Sequence, residues 1–432
     1  MLNILLHLAS LKLIDKKMKL KLLFVLLAFQ VSFAQHRTCG MQEQMQRIMN
    51  DPAQRAAYLD QQSKFETELQ KFATNRSGNS TNSVIRIPVA VHFPSVAASS
   101  SATLKDCFRA LAQNQVNILN ADYNAANADI SNYDADAPFY PGTNTGSLQV
   151  EFVLATQNHP ATSGIANGTV AVTFATDFLS NADSDTTWAG YLNLVCRNAG
   201  NGILGYSPLG GYPSAGNCVV IAKAAFGSGS GCTGYVPGSP YDLGRTLTHE
   251  LGHYFNLDHT FAGCGTSNCN TSGDRICDTP AQSVEDYDCP ATGTVTACVN
   301  GEYALTMNYM DYVNDACMYM FTANQATRML AWYNSIASQF TTTALANEAF
   351  LQNDFSIYPN PSKGSFNIQF KNFVNSYSVE VFDVTGKTIY ENNFDQSSNL
   401  VQAINLQNTT SGVYFINVKS DKGIVTKKLV IE

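Results

Sequence analysis

Charge is scarce in this sequence. Only 14% of its 432 residues are Asp, Glu, Lys or Arg, and acids outnumber bases 34 to 26, for a formal net charge of −8. A chain without a basic excess lacks the electrostatic footprint of a nucleic-acid binder. Its polar surface must come largely from Asn, Ser, Thr and Gln, which suits an extracellular protein. Long apolar runs are also missing. The candidate, Met18 to Ala34, is too short to span a bilayer comfortably, which argues against a stable transmembrane anchor. It reads instead as a signal peptide over 1–34, with translation starting at Met18. Lys19 and Lys21 form its basic start, Leu22 to Phe29 its apolar core, and Ser32-Phe33-Ala34 its cleavage site. Histidine occurs only seven times, yet three of the seven fall within the 11 residues 249–259.

Cysteine is plentiful. Eleven cysteines in a secreted chain imply disulfides, and the odd number leaves one over. Cys39 is the obvious candidate, because it stands far from the others in Arg37-Thr38-Cys39-Gly40. Cys107, Cys196, Cys218 and Cys232 are expected to form two bridges of open connectivity.

The organising stretch is His249-Glu250-Leu251-Gly252-His253-Tyr254-Phe255-Asn256-Leu257-Asp258-His259. Two histidines four apart lie one turn apart on the same face of a helix, where neutral imidazoles can share one zinc. For His259 to reach the same metal, the chain must leave the helix first. Asn256 is placed to allow this, since Asn tolerates the left-handed region better than other non-glycine residues. Three protein ligands leave a fourth zinc position open, which is the catalytic arrangement. Glu250 cannot ligate without leaving the helix, but it can act as general base toward a water held at the metal.

These residues carry a resemblance. Together with Thr260-Phe261-Ala262-Gly263-Cys264, Asp274-Arg275-Ile276-Cys277-Asp278-Thr279-Pro280, Asn308-Tyr309-Met310-Asp311-Tyr312 and Cys317-Met318-Tyr319-Met320-Phe321-Thr322, the stretch resembles the pappalysin family of metzincin proteases. The likeness implies an α+β fold: a metzincin-like catalytic domain with a twisted sheet, an active-site helix and a disulfide-rich lower subdomain. It implies a zinc-dependent endopeptidase acting on proteins or peptides. His249, His253 and His259 would hold zinc, Met310 would lie beneath the metal, and Tyr312 would bond the oxyanion or ligate zinc at rest. It implies the bridges Cys264–Cys298 and Cys289–Cys317, beside which Cys269–Cys277 would be a local extra. Calcium is a second implied cofactor, with Asp274, Asp278 and Thr279 as oxygen ligands. Cys39 resembles the cysteine switch of metzincin zymogens, whose thiolate fills the open zinc position. Asp315 falls in the segment that lines the family's pocket for the side chain just after the scissile bond. A carboxylate there favours Arg or Lys, so the enzyme could activate itself before Arg76 or Arg86.

The expected domain order is a propeptide over 35–83, helical through Tyr58, Phe65, Leu69 and Phe72, then the catalytic domain over 84–345. Val84 to Phe93 reads as its first strand, on which Pro88 suggests an edge or a bulge. Strands follow at 149–156, 191–196 and 218–222. The stretch 203–208 is the guessed substrate-side edge, 241–255 the active-site helix, and 321–340 a closing helix. A linker over 346–353 precedes short alternating strands over 354–432, a small all-β sandwich. Its Tyr358-Pro359-Asn360-Pro361, Asp383-Val384-Thr385-Gly386-Lys387 and Ser411-Gly412-Val413-Tyr414 resemble the C-terminal sorting domain of the type IX secretion system. That implies export through the periplasm and outer membrane by that machinery, to the cell surface or medium. A competing reading is a secreted adhesin or binding module with a non-catalytic zinc site. The intact Glu250 speaks against it, because such a site does not need that residue.

Overall fold

The computed structural model describes residues 36–74, 84–175, 178, 182–266, 268–345, 355–370, 376–395, 401–406, 409–420 and 423–432. The expected signal peptide, the 346–353 linker and Arg76 lie outside them.

Strand β1 (Ile85–Phe93) is buried on both faces from Ile87 onward, as its unbroken apolar run requires in a parallel sheet covered by other layers. With β2 (Val150–Leu154), β3 (Val172–Phe174), β4 (Leu192–Cys196), β5 (Gly205–Tyr206) and β6 (Cys218–Ile221) it forms one sheet of order β2-β1-β4-β6-β5, with β3 also on β1. β1, β2, β3, β4 and β6 run parallel, and β5 alone is antiparallel. β1 is therefore central, contrary to the expectation from Pro88. The proline is tolerated because the ladder with β4 begins only at Val89. The edge strand β5 lies within the expected 203–208 stretch. Arg86 is paired with Glu151 inside the β1–β2 ladder, at 2.9 Å, which withdraws it as an exposed activation site.

Helix α3 (Ala102–Tyr123) crosses the sheet beneath β2, with Ser101 capping its first turn. The Asn residues that interrupt its apolar pattern have a task. Asn120 and Asn124 each give and take a hydrogen bond with the backbone of β2, at Phe152 and Val150, and so cover its outer edge. From the same helix Tyr123 donates to the Thr248 carbonyl, and Asp122 accepts from the Thr248 hydroxyl at 2.7 Å. α3 thereby fixes helix α4 (Arg245–Tyr254), which carries the first two histidines. α4 starts later than expected because Gly244 is left-handed, φ +76°.

Ahead of the sheet, α1 (Met41–Asn50) and α2 (Pro52–Thr74) meet at Asp51, whose carboxylate accepts from the Ala53 and Gln54 amides. α2 packs on α5 (Ala323–Ile336), a helix started by a full capping box between Thr322 and Gln325. Phe65 of α2 is fully buried against Trp332, under the Arg328 guanidinium, and belongs to the main core.

The two bridges implied by resemblance and the local Cys269–Cys277 bridge are present, and Cys107 joins Cys232. Cys196 and Cys218 do not pair, which corrects the expectation of two further bridges. They lie on adjacent strands, but Cys218 faces Asn193 while Cys196 faces Ile221. That offset is about 10 Å along the strand, beyond disulfide reach. Three cysteines are thus free, Cys39 among them.

Residues 355–432 build a second core between a sheet of order β10-β9-β12-β13 and a sheet of order β11-β8-β7. The strands are β7 (Phe355–Tyr358), β8 (Ser365–Phe370), β9 (Ser376–Asp383), β10 (Thr388–Asp395), β11 (Val401–Asn405), β12 (Gly412–Ser420) and β13 (Gly423–Ile431). The expected turn holds its shape because Asp383 Oδ1 accepts from the Thr385 and Lys387 amides, with Gly386 at φ +85°.

If α2 is part of the core, Phe65→Ala should destabilise the full chain by about 3–5 kcal/mol. Urea unfolding followed by fluorescence should show a lower midpoint; an unchanged midpoint would mean that α2 only rests on the surface.

Candidate metal centre and cleft

Every residue of α4 is buried, so its histidines cannot rely on water to satisfy their ring N–H groups. Two carbonyls do so. His249 Nδ1 donates to Tyr309 O at 2.7 Å, and His253 Nδ1 donates to Leu257 O at 2.7 Å. Each bond fixes the tautomer that leaves Nε2 as a bare lone pair. The Leu257 carbonyl is in place because Asn256 turns the chain out of the helix at φ +68°, as expected. The same turn returns His259, whose Nε2 lies 3.1 Å from His253 Nε2. Two nitrogens sharing a tetrahedral zinc stand about 3.3 Å apart. Asn256 also has a partner that glycine could not offer, because its side-chain amide exchanges hydrogen bonds with Gln62 of α2.

Burial, reinforced for His249 and His259 by the neighbouring rings, pushes all three imidazoles below their usual range, His253 to about 4. They are neutral at pH 7, the state a metal ligand requires. The His249 Nε2 is buried with no hydrogen-bond partner. The Cys39 Sγ and one nitrogen from each histidine all lie within 4.8 Å of one another. An orphaned lone pair, three neutral imidazoles and one thiol fit a zinc ion. Among the described residues this is the one such cluster of metal-binding side chains.

Met310 lies beneath the helix, fully buried. A Cβ added at Gly252 would come 2.4 Å from its sulfur, so α4 can approach only because it carries glycine there. The turn is held by Asn308, which accepts from the Met310 amide and exchanges hydrogen bonds with Gln325. Tyr312 packs edge-on to His259, with ring centroids 5.0 Å apart. Burial, then the nearby Cys39 and Glu250, raise its hydroxyl pKa.

Glu250 is buried next to β5, where a Cβ on Gly205 would lie 2.7 Å from its Cγ. Burial pushes its carboxyl up to about 8. The Cys39 thiol donates to its Oε2 at 3.2 Å, and burial followed by Glu250 hold that thiol well above its usual range. The segment around Cys39 lies along β5, running parallel to it: the Gly40 amide donates to Gly205 O and the Leu204 amide to Thr38 O, both at 2.9 Å. Two residues before Cys39, Arg37 is buried. Its guanidinium meets Asp315 Oδ1 at 2.5 Å and Thr246 Oγ1 at 3.0 Å, and stacks 4.8 Å over the Tyr241 ring. Asp315 Oδ2 accepts from the Leu243 and Arg245 amides, so the start of α4 holds this carboxylate in place.

The acids proposed for calcium are used by protein donors. Asp274 accepts from Thr279 and the Ile276 amide, while Asp278 accepts from Thr322 and the Asn324 amide at the start of α5. Their carboxylates serve different partners.

Comparison with known proteins agrees with this geometry. A family model described as "Pregnancy-associated plasma protein-A" matches residues 177–334, and one described as "Secretion system C-terminal sorting domain" matches 356–432. An extracellular metalloprotease of Pyricularia oryzae is 30% identical over 269 residues, 60% of this chain and 79% of its own length. The chain belongs to the pappalysin family of metalloproteases. Another relative, an extracellular metalloprotease of Colletotrichum graminicola, is 45% identical over 130 residues. The chain spans 44% to 50% of the length of three such relatives. The solved structure of a promirolysin mutant from Tannerella forsythia superposes with a TM-score of 0.50 at 28% identity, covering 71% of this chain and 98% of that one. Among the described residues, no helix is long and apolar enough to cross a membrane.

Sequence reading passed over Arg37 as a functional residue. The available signal was its spacing: side chains alternate along an extended segment, so Arg37 and Cys39 leave the same face.

Purified chain should carry one zinc per molecule by elemental analysis. His259→Ala should weaken zinc binding by more than about 100-fold. Full zinc retention in that variant would remove His259 from the site.

Proposed function

We propose that this protein is a secreted zinc endopeptidase made in latent form, with a preference for Arg or Lys just after the scissile bond. The observation that carries the reading is the placement of Arg37, Cys39 and Glu250 on one segment-to-cleft contact. His249, His253 and His259 would hold the zinc, which when bound supplies Lewis acidity to polarise a carbonyl and acidify a water. Glu250 takes a proton from the attacking water and passes it to the departing amine. Tyr312 borders the same space and is placed to donate to the oxyanion. Met310 supports the helix and exchanges no proton.

Latency follows from the direction of the segment. A substrate residue that enters the Asp315 pocket lies C-terminal to its own scissile carbonyl. Arg37 fills that pocket from a position N-terminal to Cys39, so the inhibitory segment runs the opposite way to such a substrate. Cys39 occupies the place of the reacting group, offers a sulfur to the metal and blocks Glu250. A bound cation would hold that sulfur as thiolate, its proton passing to Glu250 Oε2, 3.2 Å away, or to solvent. Removal of 35–83 then opens the cleft, and Arg76 is the remaining candidate for self-cleavage. Export by the type IX machinery is supported by the sorting-domain match over 356–432.

Digestion of a mixed peptide library, read by mass spectrometry, tests the mechanism. Glu250→Ala should lose at least about 10²-fold in rate through loss of the general base; undiminished cleavage would remove Glu250 from that role, and no cleavage by either form would return the adhesin reading.

Asp315→Asn should flatten the preference for Arg or Lys after the scissile bond, lowering kcat/KM for such peptides by about 10- to 100-fold, as expected on losing one partner of a charged hydrogen bond. Retained preference would move the pocket elsewhere.

A further inference from the structure

Two arginines of the latent segment straddle Cys39, and both are seated the same way. On one side the Arg37 guanidinium lies over the Tyr241 ring and pairs with Asp315. On the other side Arg47 of α1 places its guanidinium 5.6 Å over the Tyr206 ring, with Nη1 3.3 Å from Asp183 Oδ2. Asp183 is a built site, not a loose surface acid. Its Oδ1 accepts from the Tyr206 hydroxyl at 2.6 Å and from Arg197 Nη2 at 3.1 Å, and the same Arg197 nitrogen donates to Ala182 O. Arg197 and Tyr206 are themselves buried. They hold the carboxylate in one orientation, and Oδ2 is the oxygen that meets Arg47. Tyr206 follows Gly205 on β5, the edge strand along which the latent segment lies. An aromatic face beside a fixed carboxylate oxygen is a receptor for guanidinium or ammonium.

We propose that Asp183 and Tyr206 form a second basic subsite of the cleft, which takes an Arg or Lys side chain on the N-terminal side of the scissile bond. The proposal rests on the endopeptidase reading and deepens it. The side follows from the order of the contacts: Asp315 receives the residue after the scissile bond, the metal cluster comes next, and Asp183 lies beyond. Cys39 bridges Gly205, and a Cβ on Gly40 would lie 3.1 Å from Tyr206 Cβ, so Tyr206 stands one residue beyond the place of Cys39. The subsite therefore addresses the second or third residue before the scissile bond. The protein would then cut sequences with basic residues on both flanks of the cleavage point. Arg47 is 59% exposed while Arg37 is 1% exposed, so the outer subsite discriminates less than the Asp315 pocket. A preference of about three-fold is the expected size for such an exposed pair.

The test uses activated full chain and quenched peptides that keep Arg after the scissile bond. Arg or norleucine is stepped through the four positions before it, and kcat/KM is compared at each. Wild type should favour Arg over norleucine by about three-fold at the second or third position. The ratio should fall toward one between about 50 and about 500 mM salt, where exposed charges are screened. Asp183→Asn should abolish the ratio and Asp183→Glu should restore part of it; if neither variant folds, the salt dependence in wild type decides. A ratio of one at every position, with Arg after the scissile bond still cleaved, overturns the subsite and leaves the protease reading intact. A preference that survives in Asp183→Asn overturns the assignment to Asp183. Failure of wild type to cut any peptide overturns both readings.

Discussion

Buried imidazoles that must stay neutral need somewhere to put an N–H, and the site is arranged around that requirement. The Tyr309 and Leu257 carbonyls accept those protons from His249 and His253. Each carbonyl is delivered by a separate piece of structure. Asn256 must turn left-handed to offer Leu257 and return His259, while Asn308 and Gln325 must hold the turn that offers Tyr309. Gly252 must lack a side chain for Met310 to close up beneath. Remove any of these and the imidazoles lose either their orientation or their bare Nε2. The sheet and α3 then serve to keep α4 from moving, through Tyr123 and Asp122 on Thr248.

The segment around Cys39 meets the cleft through the cleft's own groups. It adds backbone hydrogen bonds to the edge strand β5, as a peptide would. It pairs Arg37 with Asp315 and brings the Cys39 sulfur among the three histidines. The helices behind it add a separate anchor, because Phe65 is part of the main core and Gln62 grips the turn at Asn256. Contact at the histidine cluster and attachment of α1 and α2 are thus held by different residues.

The sequence by itself determined what depends on local spacing. His249 and His253 one turn apart, the exit at Asn256, the apolar run of β1, the turn at Asp383 and the helical pattern through Tyr58 and Phe65 were legible because neighbours along the chain set them. Tertiary structure alone decided what depends on partners far apart in the chain. Arg37 meets Asp315 across 278 residues. Cys196 and Cys218 stay unpaired because of a strand register. Pro88 proved tolerable in a central strand because one ladder starts a residue later. Arg86 is tied to Glu151 across the β1–β2 ladder, and the Asp183 carboxylate is oriented only through Arg197 and Tyr206. Helical and extended periodicities fix which side chains share a face; only the packing of distant segments fixes what that face meets.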